Sequence, residues 1–159
     1  MTVLKVNGRK VEISDRGDRT LADALRTDLG LIGARVSCSE GECGSCTILV
    51  DGLPQTSCLM LAQQAEGKNI TTIEGLADGE NLHPIQQAFI EEQGFQCGFC
   101  TPGFILSAKA FLEENPNPTA DEVSIGMSGN ICRCGAYPYI VKAVLRAAEL
   151  MNAPAQAAE

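Results

Sequence analysis

The spacing of apolar residues changes part-way along the chain. In the first half it alternates or runs in short β-branched stretches. Val3-Leu4-Lys5-Val6 and the segment Arg9 to Ile13 flank Asn7-Gly8, a pair that accepts positive φ at both turn positions, so the chain is predicted to open with a β-hairpin. Thr20 with Asp23 resembles a helix-capping pair, and Leu21, Leu25 and Leu29 recur every fourth residue before Gly30, which predicts one amphipathic helix with a glycine stop. Thr47-Ile48-Leu49-Val50, the turn Asp51-Gly52, a return strand towards Cys58 and a further run from Asn69 to Ile73 predict more strands. Hairpin, helix, loop and further strands describe a β-grasp domain.

From about residue 81 the period becomes helical, which places a domain boundary near Ala77 to Gly79. Pro84 suits a first helical position for a segment that reaches Gln93 and stops at Gly94. Thr101-Pro102 opens a second helix through Phe104, Ile105, Ala108, Phe111 and Leu112, which ends before Asn115-Pro116. Thr119 and Glu122 form a capping box for a short third helix, and a fourth begins at Pro138 and runs through Ile140, Val141, Val144, Leu145 and Ala148 towards Met151. The expected architecture is α+β: a β-grasp domain over residues 1–77 and a four-helix bundle over 78–159, with a mobile tail from Asn152 to Glu159.

Composition narrows the function classes. With 45% hydrophobic and 20% charged residues the 159-residue chain is expected to fold, but aromatics make up only 4% and Trp is absent. Its cores must therefore be built from aliphatic residues and be modest, the situation in which bound metal stabilises small domains. A net charge of −8 with scattered Lys and Arg argues against a nucleic-acid partner, whose affinity comes mainly from neutralised phosphates. No stretch approaches the roughly 18 apolar residues of a membrane span, and the start of the chain has neither an apolar signal core nor a twin arginine. A cytoplasmic location follows as the expectation. In a reducing compartment, eight cysteines are ligands more readily than disulfides.

Those cysteines fall into two quartets. Cys38, Cys43, Cys46 and Cys58 read C-x4-C-x2-C-x11-C, the plant-type ferredoxin spacing for a [2Fe-2S] cluster, rather than the C-x2-4-C on both arms that structural zinc prefers. Cys97, Cys100, Cys132 and Cys134 read C-x2-C-x31-C-x1-C, which matches no ferredoxin. Each of its two halves precedes a predicted helix, so two helix N-termini can aim at one anionic cluster; structural zinc stays open for this quartet on chemistry alone. Gly98, Gly103 and Gly135 are expected to let backbone approach that cluster, and Gly41, Gly44 and Ser45 to form an anion-binding nest in the first loop. His83, the single histidine, reads as a local helix-start residue; Arg133 reads as one end of a structural ion pair, with tuning of the cluster or binding of a cofactor phosphate as alternatives; and Glu91-Glu92 and Glu113-Glu114 read as solvated helix faces.

The strings Cys38-Ser39-Glu40-Gly41-Glu42-Cys43-Gly44-Ser45-Cys46-Thr47, Gln96-Cys97-Gly98-Phe99-Cys100-Thr101-Pro102-Gly103 and Gly129-Asn130-Ile131-Cys132-Arg133-Cys134 resemble the small iron-sulfur subunit of the xanthine oxidase family of molybdenum hydroxylases, over about residues 2 to 151. The resemblance implies a [2Fe-2S] cluster in each quartet. It also implies a large partner subunit that holds molybdenum with a molybdopterin (pyranopterin) dinucleotide and, commonly, a medium partner subunit that holds FAD. Substrate would be hydroxylated in the large subunit, and electrons would pass through the second quartet's cluster, then the first's, towards the flavin. The chain alone would turn over no substrate. By the same resemblance Gln96 and Cys134 would lie against the pterin. The chain departs from the family's frequent Cys-Arg-Cys-Thr-Gly-Tyr with Cys132-Arg133-Cys134-Gly135-Ala136-Tyr137, and Ser37 stands where glycine is frequent. A stand-alone two-cluster carrier is the alternative, and it would need a wholly polar surface.

Overall fold

A computed structural model describes residues 1–14 and 17–153. The expected tail beyond residue 153 lies outside them. The first half is built on a five-stranded mixed sheet in the order β2-β1-β5-β3-β4. Strand β1 (Thr2–Val6) pairs antiparallel with β2 (Arg9–Ile13), Val6 opposite Arg9 across a turn in which Asn7 and Gly8 both have positive φ. Strand β3 (Thr47–Val50) pairs antiparallel with β4 (Leu53–Thr56) and with β5 (Asn69–Thr71), while β1 and β5 run parallel.

One helix, α1 (Leu21–Thr27), contributes to the core formed with this sheet. Its N-cap Thr20 accepts a hydrogen bond from the Asp23 N–H at 3.1 Å. It is shorter than the leucine spacing suggests: Leu29 lies beyond it, because Gly30 turns the chain with φ 68° and Leu31 N–H returns to the Leu25 carbonyl. Just past its end, Arg19 pairs with Asp28 and holds that carboxyl down to about 2, chiefly through the side-chain hydrogen bond. Leu4, Ile13, Leu21, Leu25, Ile48 and Ile70 form the core between sheet and helix.

The second half is helical: α2 (Pro84–Glu91), α3 (Thr101–Glu114), α4 (Ala120–Gly126) and α5 (Tyr137–Asn152). Helix α5 packs along α2 and also meets α3 and α4. Phe89, Phe104, Leu112, Val123, Ile140 and Val144 lie in a second apolar core, against which Ile73 and Leu76 of the connecting segment pack. Thr119 and Glu122 make the reciprocal capping box expected of them. Helix α5 starts one residue earlier than Pro138 predicts, since proline is accommodated within the first turn. The two halves also touch: α3 lies against β3 and β4. Among the described residues, no helix is long and apolar enough to cross a membrane.

Candidate metal centres

The first three cysteines occupy a loop between α1 and β3, and Cys58 follows β4. Ser39, Gly41 and Gly44 all have positive φ, and these reversals curl the loop round its own sulfur. Cys38 Sγ accepts the main-chain N–H of Glu40 at 3.4 Å and of Cys43 at 3.5 Å. Those bonds stabilise the thiolate and bring Cys38 down to about 6. At this sulfur the donors are the N–H groups of Glu40 and Cys43, with Glu42 adding a weaker contribution. Cys46 and Cys58 are buried, and desolvation pushes the Cys46 thiol up to about 11.

The second quartet sits where α3 and α5 begin. Cys100 is the N-cap of α3, and Ala136, two residues beyond Cys134, is the N-cap of α5; neither cap uses a side-chain hydrogen bond. The helix starts therefore keep main-chain donors available, and two donors from these turns reach sulfur: Ala136 N–H donates to Cys132 Sγ at 3.4 Å, and Phe99 N–H to Cys97 Sγ at 3.5 Å. Cys97 and Cys134 are exposed, whereas Cys100 and Cys132 are buried. Burial pushes the Cys100 thiol up to about 12, while the Phe99 N–H lowers Cys97.

All eight cysteines are free of disulfides, and thiols interact within each quartet. Cys38 contacts Cys43 and Cys46 contacts Cys58 in the first; Cys97 contacts Cys134 and Cys100 contacts Cys132 in the second. Among the described residues, no three Cys, His, Asp or Glu side chains converge as a single tetrahedral ion requires. Four cysteines in each half, with no other ligand type among them, fit a two-iron cluster, in which each iron takes two cysteine ligands.

The two loops are in direct contact. Ile131 N–H donates to the Cys43 carbonyl at 2.9 Å, and the buried Asn130 side chain donates to the Gly44 carbonyl at 3.0 Å. A shared recess is lined by Cys43 from the first quartet and by all four cysteines of the second.

Other expectations resolve residue by residue. Gln96 is exposed and precedes the exposed Cys97 in the chain, and Cys134 is also exposed. His83 caps α2, its Nδ1 accepting the Ile85 N–H at 3.2 Å. Arg133 is exposed and forms no ion pair with a described residue, which corrects the structural-pair expectation: the ion pairs of the described residues form elsewhere on the surface. Glu91 and Glu113 lie on exposed helix faces as expected, where they pair with Arg146 and Lys109. Gly103 does not make room for sulfide: a Cβ there would collide with the Gly44 carbonyl, so this glycine serves the contact between the halves. The periodicity of the chain gave no sign of Tyr137, whose hydroxyl accepts the Cys132 N–H at 2.9 Å while its ring meets Phe104 edge-on.

Residues 4–76 match the family described as 2Fe-2S iron-sulfur cluster binding domain, and residues 72–145 the family described as [2Fe-2S] binding domain. The nicotinate dehydrogenase small FeS subunit of Eubacterium barkeri is 47% identical over 146 residues, covering 92% of this chain and 93% of that one. The nicotine 6-hydroxylase small subunit of Paenarthrobacter nicotinovorans is 50% identical over 144 residues, covering 91% and 87%. The crystal structure of quinoline 2-oxidoreductase from Pseudomonas putida 86 contains a chain that superposes with TM-score 0.90 at 44% identity, covering 96% of each. Aldehyde oxidoreductase from Desulfovibrio gigas superposes with TM-score 0.88 at 42% identity; there this chain corresponds to 17% of the longer one.

Proposed function

The chain belongs to the small iron-sulfur subunits of the xanthine oxidase family of molybdenum hydroxylases, and from that premise we propose how its two [2Fe-2S]-binding domains divide the work of an electron-transfer subunit. Cys97, Cys100, Cys132 and Cys134 hold the cluster that receives electrons from a molybdopterin dinucleotide site in a large partner subunit. Cys38, Cys43, Cys46 and Cys58 hold the cluster that passes them on to FAD in a medium partner subunit. When bound, each cluster supplies reversible one-electron chemistry, with a potential set by hydrogen bonds, charge and exposure.

The chain's residues support that direction. Cys97, Cys134 and the residue before Cys97, Gln96, are all exposed and so are open to a pterin in the large subunit. Main-chain donors from Phe99 and Ala136 reach sulfur in the second quartet, and those from Glu40 and Cys43 do so in the first. Ser57 hydroxyl donates to the Cys46 carbonyl at 2.7 Å and so fixes the strand that brings Cys58 to its partner.

The observation that carries the reading is the contact between the two cysteine loops, where Ile131 N–H meets the Cys43 carbonyl. Two isolated metal staples would have no reason to adjoin; two relay sites require it. We read residues 1–77 as a β-grasp domain and 78–159 as a four-helix bundle, supported by their separate apolar cores. The complex is assigned to the cytoplasm, where reduced thiols remain available as ligands.

A stand-alone carrier is disfavoured by the surface near the second quartet. Phe95, Phe99, Ile131 and Tyr137 are each at least 40% exposed there, an apolar surface suited to a partner subunit. The test is purification of the chain with its native partners by a tag on this subunit, followed by metal and flavin analysis. Molybdenum and FAD recovered in constant ratio with larger chains support the proposal. An iron-loaded monomer recovered without either contradicts it.

A further inference from the structure

The Gly44 carbonyl accepts three hydrogen bonds, one of them from the other half of the chain. It accepts from the Thr47 N–H at 3.1 Å, from the Thr47 hydroxyl at 2.7 Å and from Asn130 Nδ2 at 3.0 Å. Thr47 belongs to its own loop, whereas Asn130 reaches it across 86 positions of sequence. Asn130 is 6% exposed, so its amide has no water to fall back on, and its own N–H is anchored to the Met127 carbonyl at the end of α4. The fit is close on every side. A Cβ on Gly44 would stand 2.5 Å from the Gly129 carbonyl and 2.6 Å from Asn130 Nδ2, and a Cβ on Gly103 would strike the Gly44 carbonyl itself. Three segments, from the first cysteine loop, the first turn of α3 and the second cysteine loop, therefore meet at one oxygen.

The neighbouring residues make that junction consequential. Gly44 follows Cys43, and Asn130 precedes Ile131-Cys132. One residue along from the amide contact, Ile131 N–H donates to the Cys43 carbonyl. A continuous bonded link thus runs from Cys43 to Cys132 and crosses between the quartets at a single hydrogen bond. We propose that Asn130 is a positioning residue: by clamping the Gly44 carbonyl it holds the Ile131 to Cys43 hydrogen bond closed and fixes the spacing between the two quartets. This rests on the reading of both quartets as [2Fe-2S] sites, since spacing between them matters only if both are loaded.

The role differs from general stabilisation in what it moves. Removing the amide donor leaves all eight cysteines and both apolar cores intact, so each quartet keeps its ligands while their mutual placement loosens. Asn130→Asp retains the side-chain shape but sets a carboxylate oxygen against a carbonyl, and Asn130→Ala removes the clamp.

The experiment uses the full chain with its iron in place. Magnetic interaction between the two reduced clusters is read by electron paramagnetic resonance, and amide exchange of the Ile131 segment by mass spectrometry. Loss of a hydrogen bond of about 1.4 kcal/mol corresponds to about tenfold faster exchange at Ile131, and this rise is expected together with weakened magnetic splitting and an unchanged iron content. Wild-type splitting and wild-type exchange in an iron-loaded Asn130→Asp chain overturn the inference. If both Asn130 variants lose iron, Gly103→Ala presses on the same carbonyl from α3, and it must alter the splitting for the inference to stand. Absence of iron or of two reducible clusters in the wild-type chain would instead overturn the functional reading beneath it.

Discussion

The guanidinium carbon of Arg35 stands 5.8 Å from the centre of the Phe99 ring. Arg35 opens the first cysteine loop, where its N–H donates to the Ser45 carbonyl at 3.2 Å, and Phe99 lies between Cys97 and Cys100. Arg35 Nε is buried without a hydrogen-bond partner among the described residues, and the ring face compensates part of that desolvation. A cation from one loop thus rests on an aromatic ring from the other.

Arg35→Ala is therefore expected to lower the stability of the loaded chain by about 0.5–1 kcal/mol, and Arg35→Lys by less, since charge over the ring persists. Chemical denaturation followed by the visible cluster absorbance measures this. Equal loss in both variants would show that the planar guanidinium, not charge over the ring, carries the contact.

Cys100→Ser removes a buried member of the Cys100 and Cys132 pair and should lower iron from about four to about two per chain, leaving the plant-type spectrum of the first quartet. Cys46→Ser should do the reverse. Iron analysis with circular dichroism in the visible range separates the two outcomes, and loss of both spectra from either change would show that the quartets are not independent sites.

Gly44→Ala strikes two constraints at once: a positive φ of 70° and a Cβ 2.5 Å from the Gly129 carbonyl. Strain of about 1–3 kcal/mol is expected from backbone and overpacking together. A thermal melt of the loaded variant is the measurement, with Gly52→Ala as a comparison that carries positive φ but open space around it. The Gly44 variant should lose more.

His83 provides a pH dependence of stability. Partial burial and the nearby Lys109 depress its pKa below 6.5, and its neutral Nδ1 accepts the Ile85 N–H. The unfolded chain takes up a proton near pH 6.5 before the folded chain does, so this contribution is complete above pH 6.5 and declines as pH falls below it. His83→Asn keeps a capping acceptor and should flatten the slope of melting temperature against pH between about 7.5 and 5.5. An unchanged slope would assign that dependence to other groups.

How much was legible beforehand depended on whether the signal was local. Asn7-Gly8, Thr119 with Glu122, and Pro84 each fix a boundary through short-range chemistry, and each element stands where those residues put it. The cysteine spacings divide the eight thiols into two quartets, which the two [2Fe-2S]-domain matches over residues 4–76 and 72–145 each enclose. Pairing within a quartet was not legible, since Cys100 meets Cys132 only after α3 and α5 have packed. Asn130 and Gly103 escaped for the same reason: their partner, the Gly44 carbonyl, is distant in sequence and carries no side-chain signature. Leu29 misled because the leucine spacing continues past Thr27, where α1 ends ahead of the turn at Gly30.

If one chain holds two separate [2Fe-2S] clusters in contact through their loops, both must be visible in the same molecule. The direct measurement is electron paramagnetic resonance of the dithionite-reduced, iron-loaded protein, with iron and zinc quantified on the same sample. Two distinct signals are expected, each integrating to about one spin, with about four irons per chain. A single signal, or a colourless protein in which zinc replaces iron, would contradict the two-cluster relay.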